Sequence, residues 1–541
     1  MRIALMALRR LGWAAILVAI SLSGSARAQE AAPSPQPSPA APGAQKAGPA
    51  QLPERGRGGE GRRAAETPAT PAVAEQHKLP PDSTTKQTVD LPGRSLSFTA
   101  TAGSIRLFDD KGEPQADIAY TSYQLDGADR ATRPVTFLFN GGPGAASAYL
   151  QLGNNGPWRL AINADAVTPS ASPDLQPNAE TWLDFTDLVY IDPVGTGYSR
   201  FVATGEDVRK RFYSVGGDAA EVAVVIRRWL EKHDRLLSPK YVAGESYGGI
   251  RGPKVVRNLQ RDQGIGVKGL ILISPVIDFR EFGGSSLLQY VASLPTYTAV
   301  AREAKAQADK AGGKPVTRAD IADVEKYASG DFLSDLIKGE ADQDATKRIA
   351  DKVADLTGID QAVSRRLAGR FDVIEFRREF DRRNGRITGR YDASASGPDP
   401  FPDSSFLMFS DPSGEGVAPP ISSAAINLTT RKLNWRPDGS YELTNASVER
   451  AWNFGHGINP PESVGDLRQA LAIDPKMKLL VAHGLFDLAT PYYGSKIVLD
   501  QLPAFAGPPR AKLVVYPGGH MFYSRDASRQ AFRSEVEALM K

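Results

Sequence analysis

Residues 244–248 read Gly-Glu-Ser-Tyr-Gly, a G-x-S-x-G stretch. It lies between an apolar run at 241–243 and a segment at 249–261 whose apolar residues recur at helical spacing. A strand that turns sharply into a helix lifts the hydroxyl of Ser246 above the sheet. Glycines relieve crowding there, and the next backbone N–H can face a developing negative charge. Such a serine is a nucleophile for acyl transfer, but its hydroxyl is unreactive at neutral pH until a histidine takes the proton and a carboxylate holds that histidine. A serine at a strand-to-helix turn also serves as a plain helix cap. The rest of the chain has to decide between the two.

Three histidines follow Ser246. His456 sits in FGHGINPP with no strand before it; His483 ends the apolar run LLVAHG, where a packed histidine is the simplest expectation; His520 follows LVVYPGG, a strand and a glycine-rich turn. Asp487 stands in the loop after a late strand, in HGLFDLATP, whereas Asp192 also ends a strand but precedes the serine and Pro193, where a turn role is expected. Backbone donors for an oxyanion are available at Tyr247 and in NGGPG, at Gly141 and Gly142. Read as a phosphate loop, NGGPG fails because no G-K-[ST] follows it.

The elements that must carry these residues can be traced by period. Runs at 95–101, 104–107 and 116–124 suggest an antiparallel start. Strand signals at 135–139, 188–191, 241–243 and 269–277 then alternate with helical patterns such as 217–232, which implies a parallel sheet with its site at the strands' carboxyl ends. Strand signals return at 477–482 and 511–516, so the charged, helix-rich stretch between interrupts one domain rather than following it. The expected fold class is α/β, with a mostly parallel central sheet and an inserted helical cap. The expected organisation is a signal peptide at 1–28, an Ala/Pro/Gly-rich linker at 29–80, a core at 81–279 and 441–541, and the cap at 280–440.

Composition narrows the classes further. The 541 residues are 41% apolar and include no cysteine, which removes a thiolate metal site, a cysteine nucleophile and disulfides from consideration. Arg2, Arg9 and Arg10 precede the apolar run 11–22, and Ala26-Arg27-Ala28 supplies small residues for cleavage. This predicts export to the periplasm or beyond, with no stable membrane insertion after cleavage; an uncleaved anchor is the alternative. Removing the four leader arginines from the formal charge of +3 leaves −1, so no nucleic-acid partner is expected.

With those residues in place, the chain resembles the serine carboxypeptidases, which are α/β-hydrolases, over about residues 130–525 with the cap unmatched. FLFNGGPGAAS, NNGPW, ETWLDFTDLVYIDPVGTGYSR, VAGESYGGIRGP, HGLFDLATP and PGGHMF carry the resemblance, in the family's order. The α/β-hydrolase order of Ser, then Asp, then His selects Asp487 and His520. The resemblance implies Ser246 as nucleophile, Asp487 as orienting acid, His520 as base, and Gly142 and Tyr247 as oxyanion donors. It implies that Asn140, Gly141 and Glu245 bind the terminal carboxylate of a peptide substrate, with no metal or cofactor. Asn154 stands where the family has a second glutamate, which alters the expected grip and pH preference. Ala145 replaces a family cysteine. The expected reaction releases a C-terminal amino acid through an acyl-enzyme. An esterase or acyltransferase on the same scaffold is the alternative, and a non-catalytic binding protein is disfavoured by the complete Ser, Asp and His set.

Overall fold

The computed structural model describes residues 78–162, 168–282, 286–308, 314–404, 411–455, 460–505 and 507–541. The expected leader, nearly all of the expected linker, and His456 lie outside them. Three strands open the described chain: β1 (Ser83–Leu91), β2 (Arg94–Phe108) and β3 (Pro114–Leu125). They pair antiparallel in sequence order. The two runs expected at 95–101 and 104–107 are one continuous strand, β2. It passes through Gly103, where a side chain would collide with the Asp82 carboxyl, so the glycine marks a close approach rather than a break.

The parallel part follows. β4 (Val135–Phe139) leads to a small hairpin, β5 (Trp158–Leu160) with β6 (Leu175–Pro177), and then to β7 (Asp187–Ile191) and the short β8 (Arg200–Phe201) beside β3. β9 (Lys240–Glu245) and β10 (Gly269–Ile273) precede the inserted stretch, which contains its own hairpin, β11 (Arg386–Thr388) with β12 (Ser396–Pro398). β13 (Lys478–Gly484) and β14 (Ala511–Tyr516) complete a 10-stranded sheet ordered β1-β2-β3-β7-β4-β9-β10-β13-β14, with β8 as the tenth strand, off this path beside β3. From β7 to β14 every neighbouring pair is parallel.

Both faces of this sheet are covered, and the side-chain alternation of a strand sorts residues between them. Leu138, Tyr190, Ala243, Ile271, Ile273 and Leu480 face one cluster; Phe137, Val189, Val242, Leu270, Leu272 and Leu479 face the other. The first face receives Phe532 and Val536 of the C-terminal helix Asp526–Met540. The second receives the helix Val215–Lys232 through Val222, Val225, Ile226 and Trp229, and the helix Gly248–Arg261 through Val255, Val256 and Leu259. Ser214 starts the former, its hydroxyl accepting from Gly217 N at 3.2 Å.

The inserted stretch divides by what it touches. Residues from Val291 to Phe376 build a separate cluster with Leu485, Phe486, Leu488, Tyr492 and Tyr493, next to Asp487. Val417, Ile421, Ala424, Leu428 and Leu433 instead join the first core cluster. β10 and β13 remain paired in register despite the intervening chain, Ile273 opposite Ala482.

Candidate active site

At the carboxyl end of β9 the chain enters the helix Gly248–Arg261 through Ser246, whose φ is +61°. A non-glycine residue there carries backbone strain of about 1–3 kcal/mol. The crowding explains the neighbouring glycines selectively. A Cβ on Gly244 would lie 2.7 Å from Gly248 O and 2.8 Å from Phe139 Cε2, and one on Gly249 would strike Val276 O; at Gly248 the space is ordinary. Of the two motif glycines, only Gly244 is sterically required. Ser246 N donates to Ile273 O at 2.9 Å, tying the turn to the end of β10.

The loop from β4 packs directly on this turn. A side chain on Gly141 would collide with Tyr247 N and lie 2.7 Å from Glu245 O, so only glycine lets the two backbones meet. The two expected oxyanion donors lie one residue beyond this contact on the loop, at Gly142, and at the contact itself, at Tyr247. Neither N–H is taken by a backbone carbonyl in the described turns and loops.

Asp487 and His520 come from the loops after β13 and β14. His520 Nδ1 lies 2.7 Å from Asp487 Oδ2, with Asp487 fully buried and His520 5% exposed. Thr490 Oγ1 is 2.7 Å from the same carboxyl oxygen, and the N–H groups of Ala489 and Thr490 donate to Oδ1 at 2.8 and 3.1 Å. With the Nδ1 proton committed to Asp487, Nε2 is the basic position of the ring. Burial pulls His520 down, but the Asp487 charge and its hydrogen bond outweigh that and leave the imidazole above its ordinary value. Ser274 joins the two halves. It follows Ile273, and its hydroxyl donates to His520 O at 2.7 Å while its carbonyl accepts from Thr490 Oγ1 at 2.9 Å.

Asn140, Glu245 and Asn154 are all buried. Asn140 Nδ2 donates to Glu245 Oε1 at 2.9 Å, and Tyr523 Oη donates to Glu245 Oε2 at 2.7 Å. Burial pushes Glu245 up to about 7, against the opposing pull of His520 and these donors. Asn154 does not join this bond network: neither of its side-chain polar atoms has a partner among the described residues. Arg251 fixes the loop from behind, donating to Asn140 O at 2.5 Å and to Asp218 Oδ2 at 2.6 Å.

The competing residues have structural work instead. His483 is fully buried and 2.9 Å from Ser495 Oγ, and burial lowers it to about 4, so it stays neutral. Asp192 Oδ1 accepts from Ser147 N at 2.8 Å behind the NGGPG loop. Sequence reasoning missed Thr490, Ser274, Tyr523 and the cap residues Arg390 and Tyr391. His520 N donates to Tyr391 O at 2.5 Å, Leu488 N donates to Arg390 O at 3.1 Å, and the Tyr391 and His520 rings are 5.5 Å apart. Only Thr490 carried a local signal, since Asp487 and Thr490 have the spacing of an aspartate-led turn.

A parallel sheet crossed at its carboxyl ends by a serine turn and a buried Asp–His pair defines an α/β-hydrolase. The chain has that fold in common with a prohormone-processing carboxypeptidase from Saccharomyces cerevisiae. That likeness has a TM-score of 0.50 and 15% identity, covering 82% of this chain and 91% of that one. More narrowly, residues 108–314 match the family model described as serine carboxypeptidase. Serine carboxypeptidase-like 5 of Arabidopsis thaliana is 31% identical over 153 residues, 27% of this chain and 33% of that protein. Serine carboxypeptidase-like 16 of the same plant is 30% identical over 176 residues, 31% of this chain and 39% of that protein. The chain thus spans about a third of the length of the curated relatives it matches. The family-model match contains Asn140, Gly142, Asn154, Glu245, Ser246 and Tyr247 but stops short of Asp487 and His520.

Proposed function

We propose that the protein is an exported serine carboxypeptidase that removes C-terminal amino acids from peptides. The observation that carries the reading is the buried Asp487–His520 pair, 2.7 Å across, tied through Ser274 to the strand end that holds Ser246. Ser246 Oγ attacks the scissile carbonyl carbon as His520 Nε2 accepts its proton. The carbonyl oxygen, now negative, takes the N–H groups of Gly142 and Tyr247. The C–N bond breaks as His520 returns the proton to the departing amino nitrogen, leaving Ser246 acylated. Water deprotonated by His520 then releases the shortened peptide and restores Ser246. Asn140, Gly141 and a protonated Glu245 receive the substrate's terminal carboxylate, and Asn154 is assigned to the same subsite.

An esterase or acyltransferase reading is favoured by one feature. Once ionised, Glu245 repels a terminal carboxylate but not a neutral ester. Matched N-blocked dipeptides, one a free acid and one its C-terminal amide, tested beside a simple ester, separate the two. Preference for the free acid supports carboxypeptidase action, and turnover of the ester alone replaces it. In either case Ser246→Ala is expected to lower kcat by about 10⁴-fold or more and abolish labelling by a serine-reactive phosphonate.

A further inference from the structure

Tyr523 lies three residues beyond His520, and its side chain is fully enclosed. Its hydroxyl spans from the C-terminal loop to Glu245 Oε2 at 2.7 Å. Its ring rests against the segment bearing Asn154, where a Cβ on Gly153 would lie 3.1 Å from Tyr523 Cε2. Asn154, where the resemblance implies a second carboxyl, is an amide whose two polar atoms are unpartnered among the described residues. The grip on Glu245 comes from a phenol instead.

The proton inventory gives this phenol a direction. Asn140 Nδ2 can only donate, so Glu245 Oε1 is always an acceptor. A proton that neutralises Glu245 on Oε2, the oxygen Asn140 does not occupy, displaces or reverses the bond that Tyr523 donates. Burial and the facing carboxylate hold the Tyr523 hydroxyl protonated throughout the working range. Tyr523 therefore stabilises ionised Glu245 and opposes its neutral form. The titratable groups facing Glu245 are His520, Asp487, Tyr149 and Tyr523.

We propose that Tyr523 is a positioning residue for substrate recognition: by holding Glu245 at Oε2, in place of a second carboxyl, it sets the pH above which the site ceases to accept a free C-terminal carboxylate. The proposal rests on the carboxypeptidase reading.

The test is the ratio of KM for a C-terminal amide to KM for the matched free acid, followed from about pH 5 to about pH 9. A ratio cancels the titration of His520, which both substrates share. Wild type should favour the acid at low pH and lose that preference near the Glu245 midpoint of about 7. In Tyr523→Phe the midpoint should rise by about one pH unit, leaving a preference about tenfold above that of wild type at the alkaline end. Glu245→Gln should show no midpoint. A wild-type midpoint retained in Tyr523→Phe overturns the role of Tyr523 and leaves the carboxypeptidase reading standing. A wild type indifferent to the free acid at every pH overturns both. Phosphonate titration counts folded active sites. If Tyr523→Phe yields none, 3-fluorotyrosine at position 523 keeps the hydroxyl and donates more strongly; its midpoint should fall, and an unmoved midpoint overturns the proposal.

Discussion

Two buried groups beside Ser246 pull the pH dependence in opposite directions. His520 must be neutral to accept a proton, and the Asp487 charge and bond leave it above its ordinary value, so turnover rises as pH climbs through that raised value. On the proposed carboxypeptidase reading Glu245 receives a carboxylate only when protonated, and its burial places that loss near pH 7. A bell-shaped kcat/KM is therefore expected for free-acid peptides. For the matched amides the acid-side rise should remain and the alkaline fall should flatten, read from parallel pH profiles. Substituting the pair itself is more severe: Asp487→Asn should cost about 10⁴-fold in kcat, as expected when a triad histidine loses its orienting carboxylate. His483→Ala should leave the pH profile in place, because its imidazole is neutral and held by Ser495. A lost profile in that variant would move the base to His483.

At the scale of elements, the NGGPG loop and the serine turn are held together by one buried ion pair. Asp218 belongs to the first turn of Val215–Lys232 and Arg251 to the first turn of Gly248–Arg261, both nearly without exposure. Arg251 also donates to Asn140 O and lies over the rings of Tyr247 and Phe139, at 5.3 and 5.4 Å. Burial raises Asp218 despite its partner, a sign that desolvation is large here. Asp218→Ala leaves the guanidinium buried and uncompensated, and should lower unfolding free energy in urea by about 3–5 kcal/mol. Adding Arg251→Met removes the stranded charge and should recover most of that loss. It should not recover kcat, since Asn140 has then lost the donor that fixes its carbonyl. Full kinetic recovery in the double variant would show that the pair only stabilises.

For the whole molecule, the buried carboxyls bias stability toward mildly acidic pH. Burial raises Asp192 to about 6, Glu245 to about 7 and Glu281 to about 8. A raised carboxyl binds its proton more tightly in the folded chain, so its contribution is present at low pH and is lost as pH rises from the unfolded to the folded value. His233 and His483, both lowered to about 4 by burial, act oppositely, but only below the ordinary histidine range. Above it the carboxyls act unopposed by those histidines. Between about pH 6.5 and about pH 8, Glu281 should remove about 2 kcal/mol. Thermal unfolding should therefore occur at a lower Tm at the upper end of that window. Glu281→Gln should flatten the slope; an unchanged slope would show that Glu281 is not the source.

What could be read from the sequence was what local order encodes. Short apolar runs marked β4, β7, β9, β10, β13 and β14, and the serine turn was legible because strand, glycine, serine and helix are contiguous. Asp487 and His520 could be ranked because each follows a strand, and position after a strand is a local property. The resemblance read from the sequence also pointed to a departure at Asn154. The strand β1 escaped notice because its exposed and part-buried residues alternate without a strongly apolar face, and β2 was divided at Gly103 because only the fold reveals Asp82 opposite it. The partners of the site escaped for a related reason. Tyr523 reaches Glu245 across 278 residues, Ser274 reaches His520 across 246, and Arg251 reaches Asn140 across 111. A side chain's own neighbours in sequence say nothing about such meetings. They are created when parallel strands place distant loops at one edge, and hydrogen bonding and burial there depend on distance in space.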